Sequence, residues 1–345
     1  MRTINDFAML EPMKYYDNPE PSTAGAIQRR LDMVENKDGA YIASEKHDGD
    51  WGMFIHYSKD HNLIRSRSIS KITGAYGDYT AKLPHLVAEM DEWPDNTVVL
   101  AEICWDEYGT NANTVGTILR CLPAKAVERQ KDKGLSALVF DLLMLNGIDY
   151  TNTPYEQRLI LAQDFVSHLA SNEARGFKVT KVFTSDFAAA ADAIIGAGGE
   201  GVVIQKRSNP YMPGTRTAWA TLKLKQVLPH MDLPVVGTLE PNKNYDGDFA
   251  ADWPYKLEDG TLVTKPYYMG WKNGITVRLS SGITTDVASG LTDDDRAYLA
   301  SEDAQAKIAA GELWAEVKAM SVNDLGKLRH PALVRLRTDL NDKGE

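Results

Sequence analysis

Only two cysteines, Cys104 and Cys121, occur in the 345 residues. That is too few for a disulfide framework, and their spacing is not the CxxC of a zinc or redox site. Both are expected to be buried thiols of a reducing compartment. The seven histidines show no metal-ligand spacing, which argues against zinc. No apolar run approaches the length of a membrane span, and the N-terminus MRTINDFAMLEPMKYYDNPEP lacks the apolar stretch of a signal peptide. A soluble, cytoplasmic protein is expected. Cations are also in deficit: 38 Lys and Arg against 48 Asp and Glu leave a net charge of −10. Global acidity disfavours a nonspecific polyanion binder. There is no internal repeat and no low-complexity tract.

The cations that are present are concentrated. From Lys206 to Lys225 the chain carries Lys206, Arg207, Arg216, Lys223 and Lys225 with no acid between them. A second basic stretch contains Lys327, Arg329, Arg335 and Arg337. Two such segments in an acidic chain can bind phosphate locally, or form ordinary solvated faces.

Hydrophobic patterning divides the chain near residue 228, giving domains 1–228 and 229–345. In the first, strands are predicted at Ala40–Lys46, Trp51–Tyr57, Leu63–Arg67 and Thr97–Ile103, with a further apolar run at Ala137–Leu145 interrupted by Asp141. Asn146-Gly147 follows as a turn. Helices are predicted around Ala81–Trp93, around Thr114–Lys131 and from Pro154 to about Leu169, then a strand FKVTKVF, a helix DFAAAADAIIGA, and strands GVVIQK and TLKLKQV. Hairpin connections dominate, so an α+β fold rich in antiparallel sheet is expected rather than a doubly wound one. After Pro229, short strands with one helical segment near Asp293–Ala309 fit a small barrel such as the OB fold. The polar, aromatic stretch 241–273 reads either as a nucleic-acid-facing loop or as an extended hairpin.

Chemistry concentrates at strand ends. In EKHDG (Glu45–Gly49) a lysine precedes an Asp-Gly turn. Alone, that is an ordinary hairpin. At its usual pKa, only about one lysine amine in 2,000 is neutral at pH 7. A nucleophilic lysine therefore needs neighbouring cations, or a metal on the phosphate that it attacks. Carboxylates for the metal and ribose, and an aromatic face for a base, would complete a nucleotidyl-transfer site. Lys223 and Lys225 alternate on one strand face, where two ammonium groups are costly unless exposed or facing an anion. Glu200 sits among Gly198, Gly199 and Gly201, a turn that lets backbone approach a ligand, or simply a tight loop. Phe140 is by default a core aromatic.

Taken in order, these segments resemble the ATP-dependent DNA ligases of the covalent nucleotidyltransferase superfamily, similar in size to the small phage enzymes. KHDG resembles the K-x-D-G element, and the resemblance makes Lys46 the residue that carries AMP, with Asp48 orienting Lys46 or the ribose and Glu45 beside the nucleotide. SRSISKITGAYGD (66–78) resembles the next element, which gives Arg67 the ribose and the DNA phosphate side. VLAEI (99–103) implies ribose contact for Glu102, with a share in the metal. VFDLLMLNG (139–147) implies that Phe140 stacks on adenine. EGVVIQK (200–206) implies that Glu200 serves Mg²⁺ or Mn²⁺. RSNPYMPGTR…TLKLK places Lys223 and Lys225 beside the α-phosphate. ASGLTDDDR (288–296), WAEVKAM (314–320) and LRHPALVRLR (328–337) are similar to landmarks of a ligase OB domain, with Arg335 and Arg337 orienting pyrophosphate.

The resemblance covers about residues 40–340. It implies an ATP-grasp-like nucleotidyltransferase domain followed by an OB-fold barrel, ATP as cofactor, nicked duplex DNA as partner, and a monomer without membrane attachment. Duplex grip would fall to the two basic segments, with the 241–273 loop as a further candidate. An RNA ligase or RNA-capping guanylyltransferase is the sister alternative, and a noncatalytic nick-binding protein is the alternative of another class. Three positions depart from the pattern. Trp51 stands where the family usually has arginine, Ser44 replaces a glutamate two residues before the lysine, and the expected R-x-D-K reads Arg337, Thr338, Asp339, Leu340.

Overall fold

The computed structural model describes the chain apart from residues 16–23, 71–72, 108–111, 170–175, 216–219, 226–228, 246, 248–252, 320, 324 and 338–345. Arg216 and the run Thr338, Asp339, Leu340 therefore lie outside the described residues. Two compact units result, Met1–Lys225 and Gln226–Glu345.

In chain order the first unit contains strands β1 (Tyr41–Lys46), β2 (Asp50–Ser58), β3 (His61–Ile69), β4 (Tyr76–Asp78), β5 (Thr97–Cys104), β6 (Ser136–Leu145), β7 (Ile148–Asp149), β8 (Phe177–Val179), β9 (Val182–Phe183), β10 (Gly201–Lys206) and β11 (Thr221–Lys225). Its helices are α1 (Ala24–Glu35), α2 (Pro84–Met90), α3 (Ala112–Leu119), α4 (Pro123–Glu128), α5 (Tyr155–Leu169) and α6 (Phe187–Gly196). The strands form two sheets. The larger runs β4-β3-β2-β5-β6-β7, with β8 parallel to β6, and the smaller runs β11-β10-β1-β9. Apart from β8, every pairing is antiparallel, as hairpin connections require.

The larger sheet buries a core that includes Phe54, Val99, Val139 and Leu142, with Trp93 set edge-on to Phe165 and Phe177. The smaller sheet shows strict alternation. Ala43, Val202, Ile204, Leu222 and Leu224 pack on Met33 of α1 and on Phe187, Ala191 and Ile194 of α6. Its other face is left for the site.

Several predicted elements are broken where the sequence carries the reason. The helix expected over Ala81–Trp93 begins only at Pro84, and the one over Thr114–Lys131 is two helices, the second opening on Pro123. Proline has no backbone N–H to donate and is tolerated only in a first turn. The predicted strand FKVTKVF is likewise two strands. At Thr180 and Lys181 the chain leaves β6 and passes to β1, and Thr180 donates its N–H to Val139 O (3.1 Å) and its hydroxyl to Glu45 O (3.2 Å). No element was predicted before Ala40, yet a 3₁₀ helix at Ile4–Met9 and helix α1 stand there, with Phe7 and Met33 fully buried.

The apolar run broken by Asp141 is resolved by α5. Arg158 Nε and Nη2 donate to the two Asp141 oxygens at 2.8 and 2.9 Å, and both side chains are excluded from solvent. Of the two cysteines, Cys104 is buried as expected. Cys121 is only half-buried, because it follows the end of α3 in a turn, and both are free thiols.

The second unit contains β12 (Met231–Leu239), α7 (Lys265–Tyr268), β13 (Gly274–Arg278), β14 (Thr284–Val287), α8 (Asp293–Leu299), α9 (Glu302–Ala310), β15 (Trp314–Lys318), β16 (Ser321–Val322), β17 (Leu328–Arg329) and β18 (Ala332–Arg337). Its main sheet runs β14-β13-β12-β15-β18. The parallel bridge Ser289↔Ala332 and the 2.8 Å bond from Leu333 N to Ser289 O join its two edges. That closure, with helices between β14 and β15, is the OB-fold barrel expected from the spacing of its strands. The single helix predicted at Asp293–Ala309 is two, because Ser301 caps a new one by accepting from Ala304 N.

The aromatic stretch 241–273 folds on itself. Tyr245 and Trp253 stack at 3.8 Å, Trp253 donates to Val263 O at 2.7 Å, and Val263 is fully buried. Tyr267 and Tyr268 are exposed.

Candidate functional site

A cleft of about 330 Å³ opens between the two sheets of the first unit. Strand register explains its contents. Lys46 pairs with Gly201 and Gly201 with Lys225, while Ser44 pairs with Val203 and Val203 with Lys223. Paired residues share a face and successive residues alternate, so Ser44, Lys46, Val203, Gln205 and Lys223 point away from the α1/α6 core and line the cleft. The opposite wall comes from the larger sheet: Asp50 and Trp51 of β2, Arg67 and Ser68 of β3, Glu102 of β5 and Phe140 of β6. Tyr15, from the segment before α1, also lines it.

Lys46 ends β1, and its ammonium donates to Glu200 Oε2 at 2.5 Å. The two side chains are 19% and 13% exposed, so the amine is withdrawn from bulk water but reachable. Two glycines make this approach possible. A Cβ at Gly49 would collide with the Ile103 carbonyl and come within 2.8 Å of Cys104 Cβ, so the turn after Lys46 lies directly on β5. Gly201, at φ +130°, occupies backbone space closed to L side chains, and a Cβ there would strike the Leu224 carbonyl. Neighbouring His47 is held neutral by burial, its pKa lowered to about 4, and its Nε2 lies 2.9 Å from Thr180 Oγ1. The loop that carries the lysine is thereby tied to the chain crossing between sheets.

Glu102 lies close enough to Lys46 and Glu200 for their charges to act on it. Burial is the chief cause that raises its carboxyl to about 7. Lys46 and Arg67 oppose the shift, and Glu200 and Asp50 add to it. An acid whose pKa is higher folded than unfolded costs stability once ionised. The cost is absent below the ordinary value of 4.5 and complete above about 7. Glu102→Gln is therefore expected to match the parent's melting temperature near pH 5 and to exceed it by an increasing margin up to pH 8. Melting curves across that range check this, and a difference that does not vary with pH would refute it.

The remaining predicted residues divide. Arg67, Phe140 and Lys223 line the cleft. Phe140 also packs on the core and accepts from Tyr155 Oη through its carbonyl at 3.2 Å, so the default reading and the functional one meet in one side chain. Glu45 borders the cleft, but its carboxylate faces Lys181 at 3.7 Å and His47 at 3.8 Å. Asp48, in the turn after Lys46, and Lys225 are half-buried, and neither is among the lining residues.

In the second unit, Arg335 donates to Glu316 at 2.7 Å and Arg337 donates to both Asp232 oxygens at 3.0 and 3.2 Å. Arg207 pairs with Glu156. The two basic segments are thus partly neutralised by carboxylates.

The cleft residues not singled out as candidate site residues from the sequence include Tyr15, Asp50, Gln205 and Trp51, the last noted only as a departure. Trp51 is buried and joins a core with Met53 and Leu143. The Arg65 guanidinium lies 5.5 Å from its ring and 4.1 Å from that of Tyr76, donating to the carbonyls of Phe7 and Leu10. The departure at 51 thus adds an apolar wall whose cation comes from the next strand. Of these four, only Asp50, two residues beyond Asp48, carried a local signal. The others are placed by sheet register and by a terminal segment without periodicity.

The chain spans roughly a third of the length of the curated relatives it matches. It is 24% identical over 241 residues to a DNA ligase of Nitrosopumilus maritimus, covering 64% of this chain and 37% of that protein. With a DNA ligase of Archaeoglobus fulgidus the identity is 29% over 190 residues, covering 53% and 32%. Among solved structures, a Lig E DNA ligase described as binding DNA with a minimal scaffold superposes with a TM-score of 0.59 at 17% identity, covering 95% of this chain and 98% of that one. That likeness shows the fold. The sequence profile of the ATP dependent DNA ligase domain matches residues 22–225, more than half of the chain, from α1 through Lys225. With Lys46, Glu200, Glu102 and Lys223 gathered in that matched segment, the chain belongs to the ATP-dependent DNA ligase domain family.

Proposed function

We propose that this chain is an ATP-dependent DNA ligase that seals 5′-phosphate/3′-hydroxyl nicks in duplex DNA through AMP carried on Lys46. The observation that carries the reading is a lysine amine 2.5 Å from a glutamate, half-withdrawn from water in a cleft that also presents Arg67, Glu102 and Lys223. Lys46 Nζ forms a bond to the α-phosphorus of ATP as the bond to the β-phosphate oxygen breaks and pyrophosphate leaves. In this reading Glu200, 2.5 Å from the amine, accepts the lysine's proton. Lys223 faces the charge that grows on the α-phosphate, a contact stronger in the transition state than in the ground state. AMP then passes to the 5′-phosphate at the nick, where it makes a good leaving group for attack by the 3′-hydroxyl.

The donor set fits Mg²⁺, or Mn²⁺. Glu200 and Glu102 are hard oxygen donors within mutual electrostatic reach. Among the described residues no group of three or more His, Cys, Asp or Glu side chains gathers to hold a metal. Such an ion ordinarily takes one or two carboxylates and completes its shell with water and phosphate oxygens. When bound, it makes the phosphorus more electrophilic and offsets phosphate charge. Arg335 and Arg337 serve pyrophosphate in this reading by exchanging Glu316 and Asp232 for phosphate oxygens. The same reading implies a monomer acting in the cytoplasm; among the described residues no helix is long and apolar enough to cross a membrane.

Incubation of the purified chain with α-labelled ATP and Mg²⁺ should leave label on the protein that is stable to alkali and labile to acid, as a phosphorus–nitrogen bond requires. Addition of nicked duplex should then discharge the label and yield sealed product. A protein that stays unlabelled with either metal would overturn the proposal.

A further inference from the structure

Gln205 is 2% exposed, lines the cleft, and its Oε1 has no hydrogen-bond partner. A buried acceptor left unmatched is costly, and such groups are few in native proteins. Tyr155 donates its one hydroxyl proton to Phe140 O at 3.2 Å and lies within electrostatic reach of Gln205. With that proton committed, the phenol oxygen can only accept from the amide, so an NH₂ turned toward Tyr155 leaves the carbonyl oxygen unmatched, as it is in the structure.

Its position along the sheet is equally defined. Gln205 pairs with Ile42, four residues before Lys46 on β1, a separation of about 13 Å. That is comparable to the length of a nucleoside monophosphate. With the α-phosphate at Lys46, the base end of the nucleotide falls beside Gln205, Val203 and Phe140. Thr221, across the register from Gln205, also has an unpartnered hydroxyl, but it does not line the cleft.

We propose that Gln205 Oε1 reads the 6-amino group of the purine and makes the site select adenine over 6-oxopurines, with Tyr155 as the positioning residue that prevents the amide from turning over. A 6-amino group donates to this oxygen. A 6-oxo group would set acceptor against acceptor. The assignment rests on the lysyl-nucleotide reading above and adds the base specificity of that same site.

The test uses the full chain with Mg²⁺ and α-labelled ATP, read as label on protein, with unlabelled purine riboside triphosphate (no 6-substituent) and ITP (6-oxo) as competitors. In the parent, purine riboside triphosphate should compete about tenfold less well than ATP, the worth of one hydrogen bond. ITP should compete about a hundredfold less well. Gln205→Leu should bring ATP and purine riboside triphosphate to near parity. Tyr155→Phe removes the phenol oxygen, lets the amide present its NH₂, and should improve ITP relative to ATP by about tenfold. Equal competition by all three nucleotides in the parent would overturn the assignment without needing any variant, as would unchanged ratios in both variants. No label from ATP in the parent would instead defeat the lysyl-nucleotide reading itself.

Discussion

Lys46→Arg is expected to abolish formation of the labelled protein as completely as Lys46→Ala, a loss of at least about 10⁴-fold in rate. Arginine keeps the positive charge that Glu200 meets at 2.5 Å, so electrostatics and folding are conserved as far as one substitution allows. What it lacks is an accessible neutral form, since a guanidinium stays protonated across the usable pH range. If the lysine served only to attract phosphate, arginine would substitute with modest loss. The two variants together therefore separate nucleophile from cation. A second readout isolates the step. DNA already carrying AMP on the 5′-phosphate of the nick no longer needs the lysine amine, so both variants should still seal it. Labelled Lys46→Arg protein, or failure of both variants on pre-adenylated DNA with parent-like melting curves, would contradict the assignment.

Arg158→Leu carries the largest expected effect on stability. The substitution strands the Asp141 carboxylate, whose side chain is 1% exposed. It also removes donors from the carbonyls of Thr153 and Asn209, at 2.6 and 3.2 Å. Breaking a buried pair from one side costs about 3–5 kcal/mol, chiefly because the surviving charge remains desolvated. For a unit of this size that lowers the melting temperature on the order of 10 °C. The double variant Asp141→Leu/Arg158→Leu should lose less than the single one, since replacing both charges by apolar groups removes the stranded ion. Asp141 adjoins Phe140, and Tyr155 and Arg158 lie on the same helix, so the pair also sets where the aromatic wall stands. Melting curves of the three proteins decide the matter, and a double variant worse than the single one would show that the pair contributes more than mutual neutralisation.

Much of the site was legible in order along the chain because its elements are local. A lysine that closes a strand before Asp-Gly, a glutamate between glycines, and lysines alternating on one strand each declare a turn or a face. Strand periodicity then gives the direction of every side chain. The longer strands were recovered within one or two residues, whereas FKVTKVF proved to be two strands, short strands such as β4 and β7 were not predicted, and helices were overextended at Pro84, Pro123 and Ser301. Apolar spacing continues through those positions even though the backbone cannot. Phe140 shows the limit of composition, since an aromatic in an apolar run reads as core and here is core on one side and cleft wall on the other.

By itself the sequence determined the antiparallel pattern, the second barrel, and the set of residue types on which the proposed nucleotide transfer rests. Those properties follow from alternation, turn chemistry and the order of short motifs, all of which act over a few residues. Only the tertiary structure decided which of those residues meet. Lys46 and Glu200 are 154 positions apart and are joined by register between β1 and β10. Glu102 is held near neutrality by the burial that packing imposes. Tyr15, Trp51 and Gln205 became walls of the cleft because two sheets closed over them. Proximity across long loops and exclusion of water are properties of the packed chain, and no spacing along the sequence encodes either.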